Sequence, residues 1–467
     1  MIKVFDLSTK EFLIISLTFA LMLLFIPTII VVGVAILLLI VFLYKINNRI
    51  ILPLVIVSFL TMSSDYLGDY RIFISLFLTL LLVIIFLIDH GFEYAKYPRL
   101  PIGIIRFVIF LLITLICSTV FSFYINLSFI ATIRVMTFLV ICYLIYSLIK
   151  EKIEINILIY SLIVVMILSG ISMFIDLYQL GLQKFFIRGV LEDKYTLIAP
   201  KGFTGETIFF ISFTLLIALL FKNERKSFYS KLVIWLLILV NGILLILANS
   251  RGGILAAVIA TAVFLLIIKP KIFFKLFLII VSLLIVLFVL SSNFKDTFEA
   301  YMRLETVDQR LVYWNMGLEI IRDNPVFGVG PDTFHKQFFN YIPSSFIRFL
   351  NPELSNLGSP HPHNFFIYFF AENGILGLLT AILFFIMFFY YAVKTFNKSR
   401  KLNSEFYIFT AVILSIGIGI FIRSFLEITG YLTYGYIKTD LPFWLLFITL
   451  LKINVQLSDE TISEMRR

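Results

Sequence analysis

The amino-acid sequence predicts an all-α protein that crosses a membrane many times. Of its 467 residues, 61% are hydrophobic and only 14% are charged, whereas soluble domains carry about a quarter charged residues. Apolar runs of roughly 17–23 residues, the length that spans a hydrocarbon core as a helix, recur from the start of the chain to its end. These observations exclude a soluble globular protein and predict about 12–14 transmembrane helices, with a long outer loop that carries an amphipathic helix.

The distribution of charge separates a membrane protein from a nucleic-acid-binding one. The net charge is +10, but the basic residues cluster at the ends of apolar segments, which is typical of the positive-inside rule. We therefore expect no nucleic-acid partner. The two cysteines, Cys117 and Cys142, lie in apolar runs and predict neither a disulfide framework nor a metal cluster. The first apolar run, from Phe12, continues past Pro27 without a small-residue cleavage site, so we expect no cleavable signal peptide.

Fourteen segments are predicted to span the membrane. They lie near 12–27, 29–44, 50–63, 72–88, 102–121, 127–149, 154–175, 207–221, 232–249, 252–268, 273–291, 364–393, 406–423 and 441–453. An even number of spans places both termini on one side, and the richer supply of Lys and Arg identifies that side as the cytoplasm. Its basic residues include Lys45, Arg49, Lys222, Arg225, Lys226, Lys231, Lys269, Lys271, Lys275, Lys394, Lys398, Arg400 and Lys401.

The spans divide the chain into six predicted segments. These are N-terminal transmembrane helices (1–175), an outer loop (176–206), transmembrane helices that carry Arg251 (207–291), a long outer loop (292–362), C-terminal transmembrane helices (363–453) and a cytoplasmic tail (454–467). Apolar residues at helical spacing from Tyr301 to Asp323 predict an amphipathic helix that lies at the membrane surface or caps the bundle. The sequence Asp323-Asn324-Pro325 predicts its end.

The first polar cluster joins two predicted spans at the outer side, in the sequence Asn249-Ser250-Arg251-Gly252-Gly253. Two glycines at the start of the next helix leave its first amide groups accessible, and the positive end of the helix dipole lies there as well. Arg251 adds a fixed cation with a planar donor fork, so the cluster suits a phosphate or diphosphate. The alternative interpretation is a tight turn whose arginine reaches lipid headgroups.

The second polar cluster lies on the predicted loop helix and consists of Asp308-Gln309-Arg310 with Tyr313 and Trp314. An arginine beside aromatic rings is what a sugar-diphosphate site would use, because the rings stack on pyranose faces while the guanidinium binds phosphate. The alternative interpretation is an ordinary amphipathic helix whose arginine is solvated.

The third polar cluster is His361-Pro362-His363-Asn364, at the entry to a predicted span. A histidine at a membrane mouth can act as a general base toward a sugar hydroxyl, although an interfacial histidine can also be structural. No cysteine and no close set of carboxylates accompanies the two histidines, so we expect neither a metal nor another cofactor.

The run from Glu372 to Gly377 interrupts the apolar stretch that follows. In a continuous helix, His363 and Gly374 would be eleven residues apart and share a face. Small residues on that face would let a neighbouring helix or a lipid carrier approach closely. We expect Glu372 either to orient a site residue or to be a buried carboxylate paired with one of the arginines.

Several further charges lie within or beside predicted spans, namely Arg106, Arg134 and the pair Arg423/Glu427. We expect them to be ion-paired structural groups or contacts for a carrier lipid. The three polar clusters, in contrast, all fall on the same outer side of the membrane.

At this point the sequence resembles a known family. His363-Asn364, nine residues, Gly374, two residues and Gly377 fit every position of a motif of bacterial O-antigen ligases: His, then Asn, Ser or Gln, nine residues, Gly, two residues, and Gly, Thr or Tyr. The order of Ser250-Arg251-Gly252, Arg310 and the Pro325-to-Gly330 turn before this motif also resembles that superfamily. It includes O-antigen ligases, O-antigen polymerases and related oligosaccharide transferases, and the resemblance covers about residues 200–390.

The resemblance implies a metal-independent glycosyltransferase of the bacterial inner membrane with a periplasmic active site. The donor would be a glycan on undecaprenyl diphosphate, and the acceptor a hydroxyl of lipid A core, of another lipid-linked repeat or of a protein. By motif, Arg251 and Arg310 would hold the diphosphate and His363 would deprotonate or orient the acceptor hydroxyl. The supporting residues would be Asn364, Glu372, Gly374, Gly377, Gly252 and Trp314. Membrane lipids and other polysaccharide-assembly proteins are the further partners that it suggests.

Three questions stay open at this level. The family also has a basic residue associated with the other outer loop, for which Arg188, Lys194 and Lys201 are alternatives. Fourteen spans exceed the usual twelve of the ligases, which slightly favours a polymerase. The rival class is a flippase for lipid-linked oligosaccharides, which the intramembrane arginines also fit. A flippase needs no hydroxyl-activating base, so the motif and the long outer loop favour the transferase.

Overall fold

A computed structural model describes residues 48–61, 70–91, 97–180, 206–222, 227–248, 250–290, 305–341 and 361–465. Throughout these residues the regular elements are helices, which confirms the predicted all-α class. The predicted spans at 12–27 and 29–44 lie outside the described residues, as do Arg188, Lys194 and Lys201.

The described helices, in chain order, are α1 (Asn48–Thr61), α2 (Tyr70–His90), α3 (Ile102–Val120), α4 (Ile125–Leu148), α5 (Lys152–Leu180), α6 (Glu206–Lys222), α7 (Phe228–Leu247), α8 (Arg251–Ile268), α9 (Pro270–Leu290), α10 (Glu305–Asp323), α11 (Phe334–Gln337), α12 (Phe365–Lys401), α13 (Tyr407–Arg423) and α14 (Ile437–Met465). A 3-10 turn, Phe338–Asn340, follows α11 directly.

Each predicted span between 50–63 and 441–453 coincides with one of these helices. By length and apolar composition, seven are able to cross a membrane: α3, α4, α5, α7, α8, α12 and α14. Shorter apolar stretches occupy α1, α2 and α13. The described part of the chain is therefore a multi-pass membrane protein, as the composition predicts.

Burial distinguishes central from peripheral helices. In the apolar windows of α5 and α14, 78% of the residues are buried by the rest of the protein, against 22% in α7. The exposed side chains of α7, such as Trp235 and Leu239, are large and apolar, which suits contact with lipid rather than water. We therefore place α5 and α14 in the core of the bundle and α7 at its lipid-facing surface.

Two helices extend beyond the predicted spans. Helix α12 continues to Lys401, and α14 continues to Met465 rather than ending near residue 453. At their distal ends Lys398 Nζ donates to Ser458 Oγ at 2.8 Å. Both helices thus continue past their apolar segments into polar sequence. Adding a residue to an existing helix is much less costly than starting a new helix, so the polar residues can extend it.

His363 and Gly374 do not lie in one continuous helix, because α12 begins at Phe365, after His363. Gly374 has φ 62 and ψ −158, which breaks α12 into two parts. His363 and Gly374 therefore do not share a helical face. The break has structural partners that are described with the site below.

The predicted loop helix is confirmed as α10, which ends at Asp323 as expected. It packs on the first part of α12, where a Cβ on Gly317 would lie only 2.5 Å from Cγ2 of Ile367. Its buried side includes Met316 and Ile320, whereas Leu311 and Leu318 are exposed. The helix therefore caps the bundle, and the face that meets α12 is rotated from the one predicted by the apolar spacing.

Small residues allow α8 and α13 to pack closely against each other. A Cβ added to Gly419 would lie 2.5 Å from the carbonyl oxygen of Ala256 and 3.2 Å from Cβ of Ala260. Where lipid surrounds the protein, such close backbone approach is a main source of helix association. This contact fixes the start of α8, which carries Arg251, against the end of α13, which carries Arg423.

We predict that Gly419→Ala destabilises the protein by about 1–3 kcal/mol, because the new methyl overlaps the backbone of α8. The matched control is Gly242→Ala, whose Cβ would meet only Phe213 at an ordinary 3.5 Å. Thermal unfolding in detergent measures both. Equal melting temperatures for the two variants would contradict this account of the α8–α13 contact.

Candidate functional site

Four helix termini meet at one end of the bundle, which we call the site end. Helices α6, α8 and α12 begin here, and α13 ends here. The segment 424–436, which joins α13 to α14, lies across them. The amide of Phe365 at the start of α12 donates to the carbonyl of Ser424 at 2.8 Å. The site end therefore gathers segments that are far apart in the sequence.

At the centre of the site end, Glu427 contacts both Arg310 and His363. Its Oε2 lies 3.2 Å from Nδ1 of His363, and its Oε1 lies 3.5 Å from Nη2 of Arg310. The side chain of Glu427 is 20% exposed, that of Arg310 25% and that of His363 37%. We call these three residues the Glu427 cluster. It brings together the second and third polar clusters of the sequence through a carboxylate that neither contains.

The charge state of Glu427 follows from its neighbours. Burial alone would raise the pKa of this carboxyl, but its hydrogen bond to His363 and the charges of His363, Arg423 and Arg310 together lower the pKa to about 2. Glu427 is therefore an anion at neutral pH. Because a carboxylate can only accept hydrogen bonds, Nδ1 of His363 is the nitrogen that carries the proton in this contact.

His363 is held in an unusual backbone conformation. Its φ of +47 lies in the left-handed region, which non-glycine residues occupy rarely and usually at functional sites. The next residue, Asn364, caps α12: its Oδ1 accepts from the amides of Phe366 and Ile367 at 3.0 and 3.1 Å. Its Nδ2 donates to the carbonyl of Phe425 at 3.3 Å. Asn364 therefore anchors the start of α12 to the segment that carries Glu427.

Arg251 is the first residue of α8, and its neighbours are packed against carboxylate side chains. A Cβ on Gly252 would lie 3.2 Å from Cγ of Glu427, and one on Gly253 would lie 3.1 Å from Cγ of Glu206. Ser250 caps the helix, accepting from the amide of Gly253 at 3.1 Å. The two glycines thus serve close approach, and they bring the half-buried Arg251 to the edge of the Glu427 cluster.

Arg423 is ion-paired, as expected, although its hydrogen-bonded carboxylate is that of Glu206 rather than that of Glu427. Arg423 is fully buried, and its Nη2 donates to Oε1 of Glu206 at 2.5 Å. Its Nη1 donates to the carbonyl of Thr429. Since Thr429 belongs to the same segment as Glu427, Arg423 anchors that segment to α6 and α13, while the carboxylate of Glu427 is directed to Arg310 and His363.

The break in α12 is filled by the turn from Pro325 to Gly330. In a regular helix the carbonyls of Ala371 and Glu372 would accept from Ile375 and Leu376. Here they accept from the amides of Val329 at 3.1 Å and Gly330 at 2.8 Å, while the amide of Ile375 donates to the carbonyl of Pro325 at 2.9 Å. The turn therefore substitutes for the hydrogen bonds that the break removes.

Glycines make this insertion sterically feasible. A Cβ on Gly374 would lie 2.1 Å from the carbonyl oxygen of Val326, and one on Gly328 would lie 2.3 Å from the backbone of Glu372. After the break, a Cβ on Gly377 would lie 2.1 Å from the carbonyl oxygen of Phe369. The glycines of the motif thus occupy positions where backbone segments touch.

Glu372 is fully buried beside this turn. Its carboxylate accepts from the amides of Asp332 at 2.9 Å and Phe334 at 2.7 Å. It thereby fixes the chain immediately after the inserted turn. Asp332 in turn pairs with Arg134 at 2.6 Å, and Nε of Arg134 donates to the carbonyl of Tyr434 at 2.7 Å. These contacts connect the turn to α4 and to the segment 424–436.

Aromatic and histidine side chains surround the Glu427 cluster. The rings of Tyr313 and His363 are 6.1 Å apart, so the aromatic side of α10 faces the histidine. Trp314 has a buried Nε1 without a hydrogen-bond partner among the described residues. Burial, with a smaller contribution from His363, lowers the pKa of His361 to about 4, so His361 is neutral at neutral pH. Arg106, by contrast, is exposed on α3.

Two carboxylates of the site end were not predicted as site residues: Glu206 was not named from the sequence, and Glu427 was named only as a charge beside Arg423. The only available signal was that carboxylates are rare in this apolar chain and that both lie at predicted outer ends of spans. Within the described part of the chain, no group of three or more His, Cys, Asp or Glu side chains could hold a metal ion. The roles assigned to Arg251, Arg310 and His363 stay predictions.

We predict that Gly374→Ala releases the turn from Pro325 to Gly330 from α12, because the added Cβ overlaps the carbonyl oxygen of Val326. The matched control is Gly91→Ala, which has a similar φ of +64 but open space around the added Cβ. The control reports the effect of a Cβ added at a positive φ where it meets no neighbouring atom. Hydrogen exchange of the Val329 and Gly330 amides should become faster in Gly374→Ala alone. Equal protection in the two variants would contradict the insertion.

Comparison with known proteins gives one match. Residues 232–382 match a family model described as O-antigen ligase, and this stretch contains Arg251, Arg310, His363, Gly374 and Gly377. Glu427 and Arg423 lie outside it. The comparison with curated proteins found no match. The family match agrees with the resemblance predicted from the motif: residues 232–382 of this membrane protein are similar to the O-antigen ligase family.

Proposed function

We propose that this protein is a membrane glycosyltransferase that moves a glycan from undecaprenyl diphosphate to an acceptor sugar hydroxyl on the periplasmic face. The observation that supports it best is the Glu427 cluster. Two residues of the matched stretch, the cation Arg310 and the potential base His363, meet at the carboxylate of Glu427, beside the helix start that carries Arg251. Leaving-group stabilisation and hydroxyl activation are the two needs of this reaction.

The leaving group of the reaction is a diphosphate. When its bond to the anomeric carbon breaks, the electron pair of that bond remains on the diphosphate oxygen, and nearby cations stabilise the charge. Arg310 and Arg251 would supply these cations, since guanidinium groups bind phosphate oxygens through a planar donor fork. Fixed arginines would also make a metal ion unnecessary, so we propose a metal-independent and cofactor-independent reaction.

The acceptor hydroxyl needs a base. With its Nδ1 proton directed to Glu427, His363 has its lone pair on Nε2, which would take the hydroxyl proton as the acceptor oxygen forms its bond to the anomeric carbon. A single displacement of this kind inverts the anomeric configuration. Tyr313 and Trp314 on α10 would offer ring faces to the sugar.

The orientation in the membrane is supported by charge. The end of the bundle opposite the site end carries many basic residues, among them Lys150, Lys152, Lys222, Lys398 and Lys401. Some are paired there, such as Lys150 with Asp89 at 2.7 Å. The positive-inside rule would place that end in the cytoplasm. Accordingly, we propose an inner-membrane protein with cytoplasmic termini and a periplasmic site.

The acceptor defines three variants of the proposal. A ligase would transfer to lipid A core, a polymerase to another lipid-linked repeat, and a protein-directed transferase to a side-chain hydroxyl. The number of predicted spans slightly favours the polymerase, and other polysaccharide-assembly proteins would be natural partners. The flippase alternative is weaker, because moving a lipid across the bilayer does not need a base directed at a hydroxyl.

We predict that His363→Ala abolishes glycan transfer but leaves the binding of undecaprenyl diphosphate intact, because the histidine serves the acceptor. The loss should be about 100-fold or more, as for other general bases. The assay uses the purified protein in proteoliposomes with lipid-linked donor and acceptor extracted from the source strain. A variant that transfers at the wild-type rate would rule out the proposed base.

The proposed binding of diphosphate by Arg310 is tested with a matched control. Arg310→Gln should weaken the binding of undecaprenyl diphosphate at least about tenfold, because a charge-assisted contact to phosphate is lost. Arg322→Gln, on the same helix but 77% exposed and paired with Glu319, should bind as the wild type does. Equal binding by both variants would show that the diphosphate is held elsewhere.

The acceptor can be identified from the lipopolysaccharide of a strain that lacks this protein, by examining how its core is capped. Loss of a ligase leaves uncapped core while polymer accumulates on the carrier lipid, whereas loss of a polymerase leaves core that is capped with a single repeat. We expect the second pattern, because of the predicted span number. Unchanged lipopolysaccharide would point to a different glycan or to a protein acceptor.

A further inference from the structure

One carboxylate at the site end serves two functional groups at once. Each oxygen of Glu427 has its own partner: Oε2 faces Nδ1 of His363 at 3.2 Å, and Oε1 faces Nη2 of Arg310 at 3.5 Å. Under the proposed function these partners have opposite tasks, since one would bind the donor and the other would activate the acceptor. A change at one partner therefore alters the electrostatic environment of the other.

We propose that Glu427 is a positioning residue that couples donor binding to activation of the acceptor: the diphosphate takes Arg310 away from Glu427, and the carboxylate then interacts more strongly with His363. This inference rests on the proposed function, and it deepens it by adding an order to the two events. Glu427 contacts neither the donor nor the acceptor in this scheme.

Several contacts hold the backbone around Glu427 in place. The amide of Glu427 donates to the carbonyl of Arg423 at 2.8 Å, and the hydroxyl of Tyr431 donates to the carbonyl of Glu427. Gly252 of α8 lies against its side chain. The buried Arg423 holds the same segment through Thr429. Glu427 is thus a rigid acceptor against which Arg310 and His363 are oriented.

The pair of Arg310 and Glu427 is suited to exchange. Its N–O distance of 3.5 Å exceeds the 2.7–2.9 Å of a strong charge-assisted hydrogen bond, and both side chains are partly exposed. By contrast, Arg423 and Glu206 are 2.5 Å apart, with the arginine fully buried. A diphosphate offers several anionic oxygens in place of one distant carboxylate. It would therefore displace Glu427 from Arg310 but not Glu206 from Arg423.

Release of Arg310 changes what His363 experiences. A cation beside a carboxylate offsets part of its field, and the offset disappears when the cation turns to the diphosphate. Without the offset from Arg310, Glu427 more strongly stabilises the imidazolium that forms when Nε2 takes the acceptor proton. The proton moves from the acceptor oxygen to Nε2, the acceptor oxygen bonds to the anomeric carbon, and the diphosphate leaves with the electron pair. Glu427 itself gains no proton.

Other charges near His363 do not replace this effect. His361 is neutral at neutral pH, and Tyr313 contributes a ring face. Arg423 also acts on Glu427 through its charge, but its pairing with Glu206 keeps that contribution the same when the donor binds. Among the described residues, Glu427 is the carboxylate in direct contact with His363. The coupling therefore depends on the side chain of Glu427. A substitution at this position tests the coupling without changing Arg310 or His363.

Glu427→Gln tests the coupling, since it keeps the shape of the side chain and removes its charge. We expect kcat for glycan transfer to fall at least about tenfold. The Kd for undecaprenyl diphosphate should stay equal or decrease, because Arg310 no longer has a competing carboxylate. A merely structural role would weaken binding and turnover together. An unchanged kcat, or a joint loss of kcat and binding, would overturn the proposal.

Two further variants make the result interpretable. Glu319 is an exposed carboxylate of α10 that pairs with Arg322. Glu319→Gln controls for the general loss of a negative charge and should behave as the wild type. Glu427→Asp keeps the charge and should recover part of the lost kcat, even if Glu427→Gln melts early. A failure of Glu427→Asp to exceed Glu427→Gln in kcat would count against the coupling.

Failure of this inference differs from failure of the proposed function. If His363→Ala abolishes transfer while Glu427→Gln transfers normally, the base is correct and the coupling is wrong. If His363→Ala transfers normally, the proposed function itself is wrong.

Discussion

The break of α12 at Gly374 is the feature on which the assembly of the site end depends. A break exposes backbone carbonyls and an amide, and such groups are costly wherever water is scarce. The turn from Pro325 to Gly330 satisfies them with three hydrogen bonds. Because this turn directly follows α10, its insertion also determines where α10 lies. Arg310 on α10 is thereby held near His363, which precedes the same broken helix.

A second constraint acts through the segment 424–436. The buried Arg423 fixes this segment to α6 through Glu206, and Asn364 fixes it to the start of α12. Glu427 is consequently placed between two residues that come from different parts of the chain. The same principle recurs at Asp332, which receives Arg134 from α4. Hydrogen bonds and ion pairs between polar side chains thus connect the helix ends in this protein. Apolar packing alone is not directional and does not determine which helix ends lie together.

The sequence predicted the helices well because hydrocarbon thickness sets their length and apolar runs reveal it. The spacing of His363, Gly374 and Gly377 also predicted the similarity of residues 232–382 to the O-antigen ligase family. It could not reveal that Gly374 breaks the helix, since the hydrogen bonds that permit the break come from a turn more than forty residues earlier. Glu427 was missed as a site residue for the same reason: it lies sixty-four residues after His363, and only tertiary packing brings them together.

In the proposed reaction, the site end binds a diphosphate through Arg310, and Glu427 keeps its contact with His363. The most direct measurement is an electron cryo-microscopy structure in lipid nanodiscs with undecaprenyl diphosphate bound. We predict diphosphate density between Arg310 and the start of α8 at Arg251, with Arg310 turned away from Glu427 and the contact of His363 with Glu427 retained. Diphosphate density away from these residues, with Arg310 still paired to Glu427, would contradict the account.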